Sequence, residues 1–138
     1  MKNIYILLLI STIAFSLSSC NKEVANTKTD LIQSSLVNKT WYLDYSITGA
    51  VTKSFVGQST YFITFLNDGT TKDSDGLTGN FSIVNNNGKY ELSVIAKTIN
   101  GNNFNYTHLI ESVGDVKMIQ SYTADGQTVK TILYFTSK

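Results

Sequence analysis

His108 is the only histidine and Cys20 the only cysteine in this 138-residue chain, so few residues could do covalent chemistry. Nucleophilic catalysis pairs a serine or thiol with a base, and His108 is the sole imidazole, set in the strand-like stretch Tyr106 to Val113. A lone strand histidine is more often a hydrogen-bonded or exposed side chain, so no catalytic residue is assigned and a non-enzymatic protein is expected. One Cys and one His cannot build a zinc centre. Asp68, Asp73 and Asp75 gather around one turn, but aligning them with a calcium loop puts Thr71 at its first position and Ser82 at its last, where acids are required. No metal and no cofactor are expected.

Composition narrows the partners. Lysine supplies all 11 basic side chains against 10 acids, for a formal charge of +1, and arginine is absent. No field favours nucleic acid, and the bidentate arginine contacts common at phosphates are missing. With 42% apolar and 15% charged residues the chain reads as globular, and one cysteine rules out an internal disulfide.

Cys20 gains a role from what precedes it. Lys2 forms a short positive start, Ile4 to Phe15 a mostly apolar run, and Leu17-Ser18-Ser19 lead into Cys20. The run is short of the roughly 20 residues that span a bilayer. This ending resembles the lipobox of bacterial lipoproteins, which implies cleavage before Cys20 and a diacylglyceryl group on its thiol, with palmitate-type chains. A plain signal peptide and a membrane span are the alternatives. Asn21, in place of an aspartate, implies the outer membrane rather than the inner. Residues 1–19 are thus read as the leader, 20–35 as lipidated cysteine and flexible tether, and 36–138 as the folded domain. Within the tether, Asp30 with Leu31, Ile32, Ser35 and Leu36 suggests a short helical turn closing one end of the domain.

From Thr40 onward the pattern is strand and turn. Trp41, Leu43, Tyr45 and Ile47 alternate with Tyr42, Asp44, Ser46 and Thr48, and the same two-residue period returns in Tyr61, Ile63 and Phe65 and in Tyr90, Leu92, Val94 and Ala96. Asn67-Asp68-Gly69, Asn87-Gly88, Asn100-Gly101 and Asp125-Gly126 supply the positive φ that hairpins need. Turn signals every 10 to 12 residues and no long crossover predict an all-β antiparallel meander of about eight strands. Closure into an up-and-down barrel would hide the sheet edges, with a two-sheet sandwich as the alternative.

Leu36-Val37-Asn38-Lys39-Thr40-Trp41-Tyr42-Leu43 resembles the opening strand of the lipocalin-like domains of Bacteroidota lipoproteins, usually Leu-X-Gly-Lys-(Thr)-Trp-X-Leu. Phe65 with Asp68-Gly69-Thr70, and Gly79-Asn80-Phe81-Ser82-Ile83, are similar to later motifs of that family. Asn38 stands where glycine is usual and Phe81 where tryptophan is common. Asparagine also tolerates a left-handed backbone, and phenylalanine keeps an inward ring. A runner-up resemblance is the META-type domain, whose Gly-Cys-Asn signature is missing.

The lipocalin-like resemblance implies a barrel interior that is either filled or holds one small hydrophobic ligand. Trp41, Tyr45, Phe65, Phe81, Tyr90 and Tyr122 are the candidate inward contacts for such a ligand. The leading expectation is a monomeric, membrane-anchored outer-membrane lipoprotein of the cell envelope that binds a small hydrophobic molecule. Its alternative is an envelope structural or interaction module with a filled core, working through outer aromatics such as Tyr42 and Phe62.

Overall fold

The computed structural model describes residues 28–58 and 61–138. The leader, Cys20 and the tether up to residue 27 lie outside the described residues. A helix, α1, covers 28–36, so the second half of the expected tether is ordered structure, and Asp30 sits inside the helix rather than capping it. Nine strands follow: β1 (Lys39–Thr48), β2 (Val51–Ser54), β3 (Phe62–Phe65), β4 (Thr70–Asp73), β5 (Thr78–Asn86), β6 (Lys89–Lys97), β7 (Asn103–Val113), β8 (Lys117–Thr123) and β9 (Lys130–Ser137).

Every pairing is antiparallel, and the sheet runs β1-β3-β4-β5-β6-β7-β8-β9 before β9 returns to β1. That last pairing, Trp41 opposite Ser137 through Thr48 opposite Thr131, closes an eight-stranded barrel and excludes the sandwich. The ninth strand, β2, folds back on residues Tyr45–Thr48, while β3 pairs with Lys39–Tyr42 on the same edge of β1. Two hairpin halves thus lie end to end. β2 and β4 are four residues each and carry no inward apolar pattern, so sequence periodicity could not reveal them.

Local chemistry fixes the tight corners. Asn87 and Gly88 both have positive φ (52° and 83°) between the paired Asn86 and Lys89, the requirement of a two-residue type I′ hairpin. Gly79 answers a different need. A Cβ there would lie 2.2 Å from the Ile95 carbonyl oxygen, so β5 approaches β6 more closely than any side chain allows.

The two ends of the barrel differ. At one end α1 lays Leu36 (0% exposed) onto Trp41, Phe65, Phe81, Tyr90, Leu92 and Met118, and the Trp41 indole donates to the Leu36 carbonyl at 2.9 Å. Phe65 and Phe81 meet edge to face at 5.0 Å. Each such side chain contributes about 1.5–3 kcal/mol through the apolar surface it removes from water. Asn38, with φ 59°, turns the chain from α1 into β1 and donates its N–H to the Phe65 carbonyl. This end is plugged.

Two bulges reset the side-chain phase. Register shifts between Leu43 and Tyr45, so Asp44 is an extra residue in β1. Leu43 stays opposite buried Phe135, whereas Tyr45 comes opposite Tyr134 and stacks on it at 4.3 Å on the outer surface. The expected inward position of Tyr45 is therefore corrected: one inserted residue turns it, and Ile47 after it, to the outside. Glu111 makes the second bulge, in β7.

Candidate functional site in the open end of the barrel

The end opposite α1 is hollow. Strands β3, β4, β7, β8 and β9 line a cavity of about 630 Å³, bordered by the turns after β4 and β8. Alternation sets its lining. In β7 the inward series is Tyr106, His108 and Ile110; in β8 it is Met118, Gln120 and Tyr122; in β9 it is Leu133 and Phe135. In β7 and β8 the members near α1, Ile110 and Met118, are apolar and buried, and those toward the mouth are aromatic or polar; in β9 both are apolar. The plug therefore decides where the hollow falls.

Inside the cavity the rings form a tier. Tyr106 and His108 have centroids 4.5 Å apart, and His108 stacks on Tyr122 at 4.7 Å with their planes 13° apart. Gln120, almost wholly buried, places Oε1 2.9 Å from His108 Nδ1, while its Nε2 donates to Met118 Sδ at 3.2 Å. With the amide oriented that way, Nδ1–H donates to Gln120 and Nε2 is left as the acceptor of a neutral ring. Burial holds the imidazole below its ordinary pKa, partly offset by the bond to Gln120.

Tyr61 adds a second polar centre. Its hydroxyl donates to Asp73 Oδ2 at 3.1 Å, and Asp73 Oδ1 accepts the Asp75 and Leu77 amides at 2.9 Å each. Burial is the main reason that both Tyr61 and Tyr106 are pushed well above the ordinary phenol range. For Tyr61 the neighbouring Tyr106 and the Asp73 charge add to the effect, and for Tyr106 the Asp73 charge does so. Both phenols stay neutral. Asp75 and Asp125 complete the acidic lining, and no lysine is among the described residues that border the cavity. Asp68 lies elsewhere: it accepts the Thr70 amide and hydroxyl, which hold its carboxyl below the usual range.

The candidate contacts separate cleanly. Trp41, Phe65, Phe81 and Tyr90 are inward, but they fill the plugged half and do not border the cavity. Tyr90 instead borders a groove where α1 meets β6 and β7. Tyr45 is outside, and Tyr122 alone lines the hollow. Sequence reasoning passed over Tyr61, Tyr106, His108 and Gln120 as a group. A signal existed: His108 and Gln120 are polar residues at core-phase positions of neighbouring strands, flanked by apolar or aromatic members of the same phase. A buried Gln120 and a half-buried His108 in one core must face each other or a cavity, and here they do both.

The outer wall carries its own features. Glu111, on its bulge, accepts from Lys130 and from the fully buried Ser121 hydroxyl, and these bonds, Lys130 first, hold its carboxyl below the usual range. Tyr42 and Phe62 form a tilted outer pair at 5.8 Å. Val51, Ile99, Phe104 and Val129 stand exposed on segments at the open end, and Val56 on the loop after β2. The chain has no match among family models, curated proteins or solved structures.

Proposed function

We propose that this chain is a lipid-anchored, lipocalin-like binding protein of the bacterial cell envelope, which holds one small molecule in the open half of its barrel and does no chemistry on it. The observation that carries the reading is the one-ended hollow. A barrel plugged by α1 at one end keeps about 630 Å³ at the other, lined by Tyr61, Tyr106, His108, Tyr122 and Phe135. That volume falls within the range of small-molecule sites, and aromatic walls with a few placed polar groups are their usual lining. Lys28 lies 5.2 Å from the Tyr90 ring, so the chain enters at the plugged end. An anchor at Cys20 on the outer membrane would leave the mouth at the far end, facing the aqueous phase. Two or more acyl chains give the stable attachment that one cannot.

Metabolic labelling with an alkyne fatty acid, alongside native mass spectrometry of the chain released from membranes, tests both halves. Label incorporated in the chain and lost in Cys20→Ser, with a small molecule retained on the barrel, is the expected result. An unlabelled, unprocessed product or a consistently empty barrel would overturn the corresponding half. The Tyr42–Phe62 and Tyr45–Tyr134 pairs on the outer wall favour a second reading, an envelope interaction module. Cross-linking in intact envelopes separates it from the first, because only the second requires a protein neighbour.

A further inference from the structure

The proposed binding reading leaves the ligand's chemistry open, and the donors and acceptors around the hollow narrow it. We propose that the cavity selects a protonated amine carried on a compact apolar or aromatic body. This inference rests on the reading of the hollow as a ligand site.

Hydrogen-bond accounting comes first. The His108 Nδ1–H is given to Gln120, the Gln120 amide to Met118, and the Tyr61 hydroxyl to Asp73. These side-chain donors are spent within the wall. What faces the hollow is acceptor-rich: His108 Nε2 and the carboxylates of Asp75 and Asp125 at the mouth accept only, while the Tyr106 and Tyr122 hydroxyls can either donate or accept. Asp73 is already held by three donors and acts mainly as fixed negative charge.

Charge points the same way. Asp73, Asp75 and Asp125 border the cavity, and no described lysine does, although the chain has as many basic as acidic residues to within one. The neutral state of His108 adds no opposing charge. An anion entering here would lose its water and meet three carboxylates with no described lysine to balance them. An ammonium group brings positive charge and several donors to the carboxylates and to His108 Nε2, and charge-assisted hydrogen bonds are about twice as strong as neutral ones. Leu77, Phe104, Leu133 and Phe135 supply the apolar surface for the rest of the molecule.

Three indoles of nearly equal size make the test: tryptamine, tryptophol and indole-3-acetate, titrated into the full chain in nanodiscs and followed by calorimetry and side-chain NMR. Tryptamine should bind about tenfold more tightly than tryptophol, with indole-3-acetate weakest. Added salt should shrink that preference, because the mouth carboxylates are exposed. Asp75→Lys combined with Asp125→Lys should weaken tryptamine and strengthen indole-3-acetate, with an unchanged β-sheet circular dichroism spectrum showing that the barrel still forms. If tryptophol or indole-3-acetate binds as well as tryptamine, the amine assignment falls while the binding site stands. If none of the three perturbs Tyr106, His108 or Tyr122 at millimolar concentration, the site itself falls and the assignment with it.

Discussion

His108 shows how one side chain can report on the interior of the whole fold. It is half-buried, stacked on Tyr122, tilted against Tyr106, and bonded through Nδ1 to a buried amide. Because burial lowers its pKa, the folded state resists taking up a proton that the unfolded chain accepts near pH 6.5. The unfolded state binds more protons in that interval, so stability should fall as pH drops below about 6.5 and level off once the folded-state pKa is passed. Urea melts at pH 7.5 and 5.5 should show this loss in the native chain and not in His108→Gln. Equal losses in both would place the titrating group elsewhere. Glu111 and Asp68, whose pKa values are depressed, act in a lower window, losing their contributions only as pH falls through the acidic range.

Asn38 makes a second point at this scale. Its φ of 59° is the left-handed conformation that asparagine enters more readily than other non-glycine residues. Asn38→Val should cost about 1–2 kcal/mol in chemical denaturation, from backbone strain alone. Asn38→Gly, which removes the strain, should cost far less. A valine variant as stable as the parent would show that the turn can rearrange.

At the scale of elements, closure depends on contacts that side chains do not make. Gly79 lets β5 cross β6 at a separation no Cβ permits. Gly79→Ala should destabilise the barrel by at least the 1–3 kcal/mol typical of overpacking, because the obstacle is the Ile95 carbonyl and not a mobile side chain. Thermal unfolding by circular dichroism measures it, and an unchanged midpoint would mean that the sheet opens freely there. The bulge at Asp44 shows the limit of reading a strand by period alone. Trp41 and Leu43 follow the two-residue rhythm inward, and the same rhythm predicts Tyr45 inward as well. The inserted residue reverses it, and nothing in Leu43-Asp44-Tyr45-Ser46 marks the insertion, since a bulge is fixed by the pairing partner. By contrast Tyr90, Leu92, Val94 and Ala96 keep phase across an unbroken ladder, and their inward placement was legible. The turns were legible too, because Asn87 and Gly88 carry their geometry in their residue types. The strand β4 was not: Thr70 to Asp73 is short and polar, and it is a strand because β3 and β5 flank it.

At the scale of the whole molecule, the described residues form a tube stopped at one end, an asymmetry only half legible in the sequence. A helical stretch near Leu36 suggested closure, but which aromatics would fill the stopped half and which would face the hollow depends on three-dimensional packing. Trp41, Phe65, Phe81 and Tyr90 went to the plug, and Tyr122 to the cavity. Their residue types cannot tell these fates apart. Distance from α1 along the barrel axis does.

The most direct measurement of this arrangement is chemical-shift mapping of the full chain with dissolved xenon, a neutral probe that reports accessible hollow space without regard to charge. Shifts confined to Ile63, Tyr106, His108, Gln120, Tyr122 and Leu133 are the expected outcome. Shifts centred on Trp41, Phe65 and Tyr90, or none inside the barrel at all, would contradict a tube plugged by α1 and open at the other end.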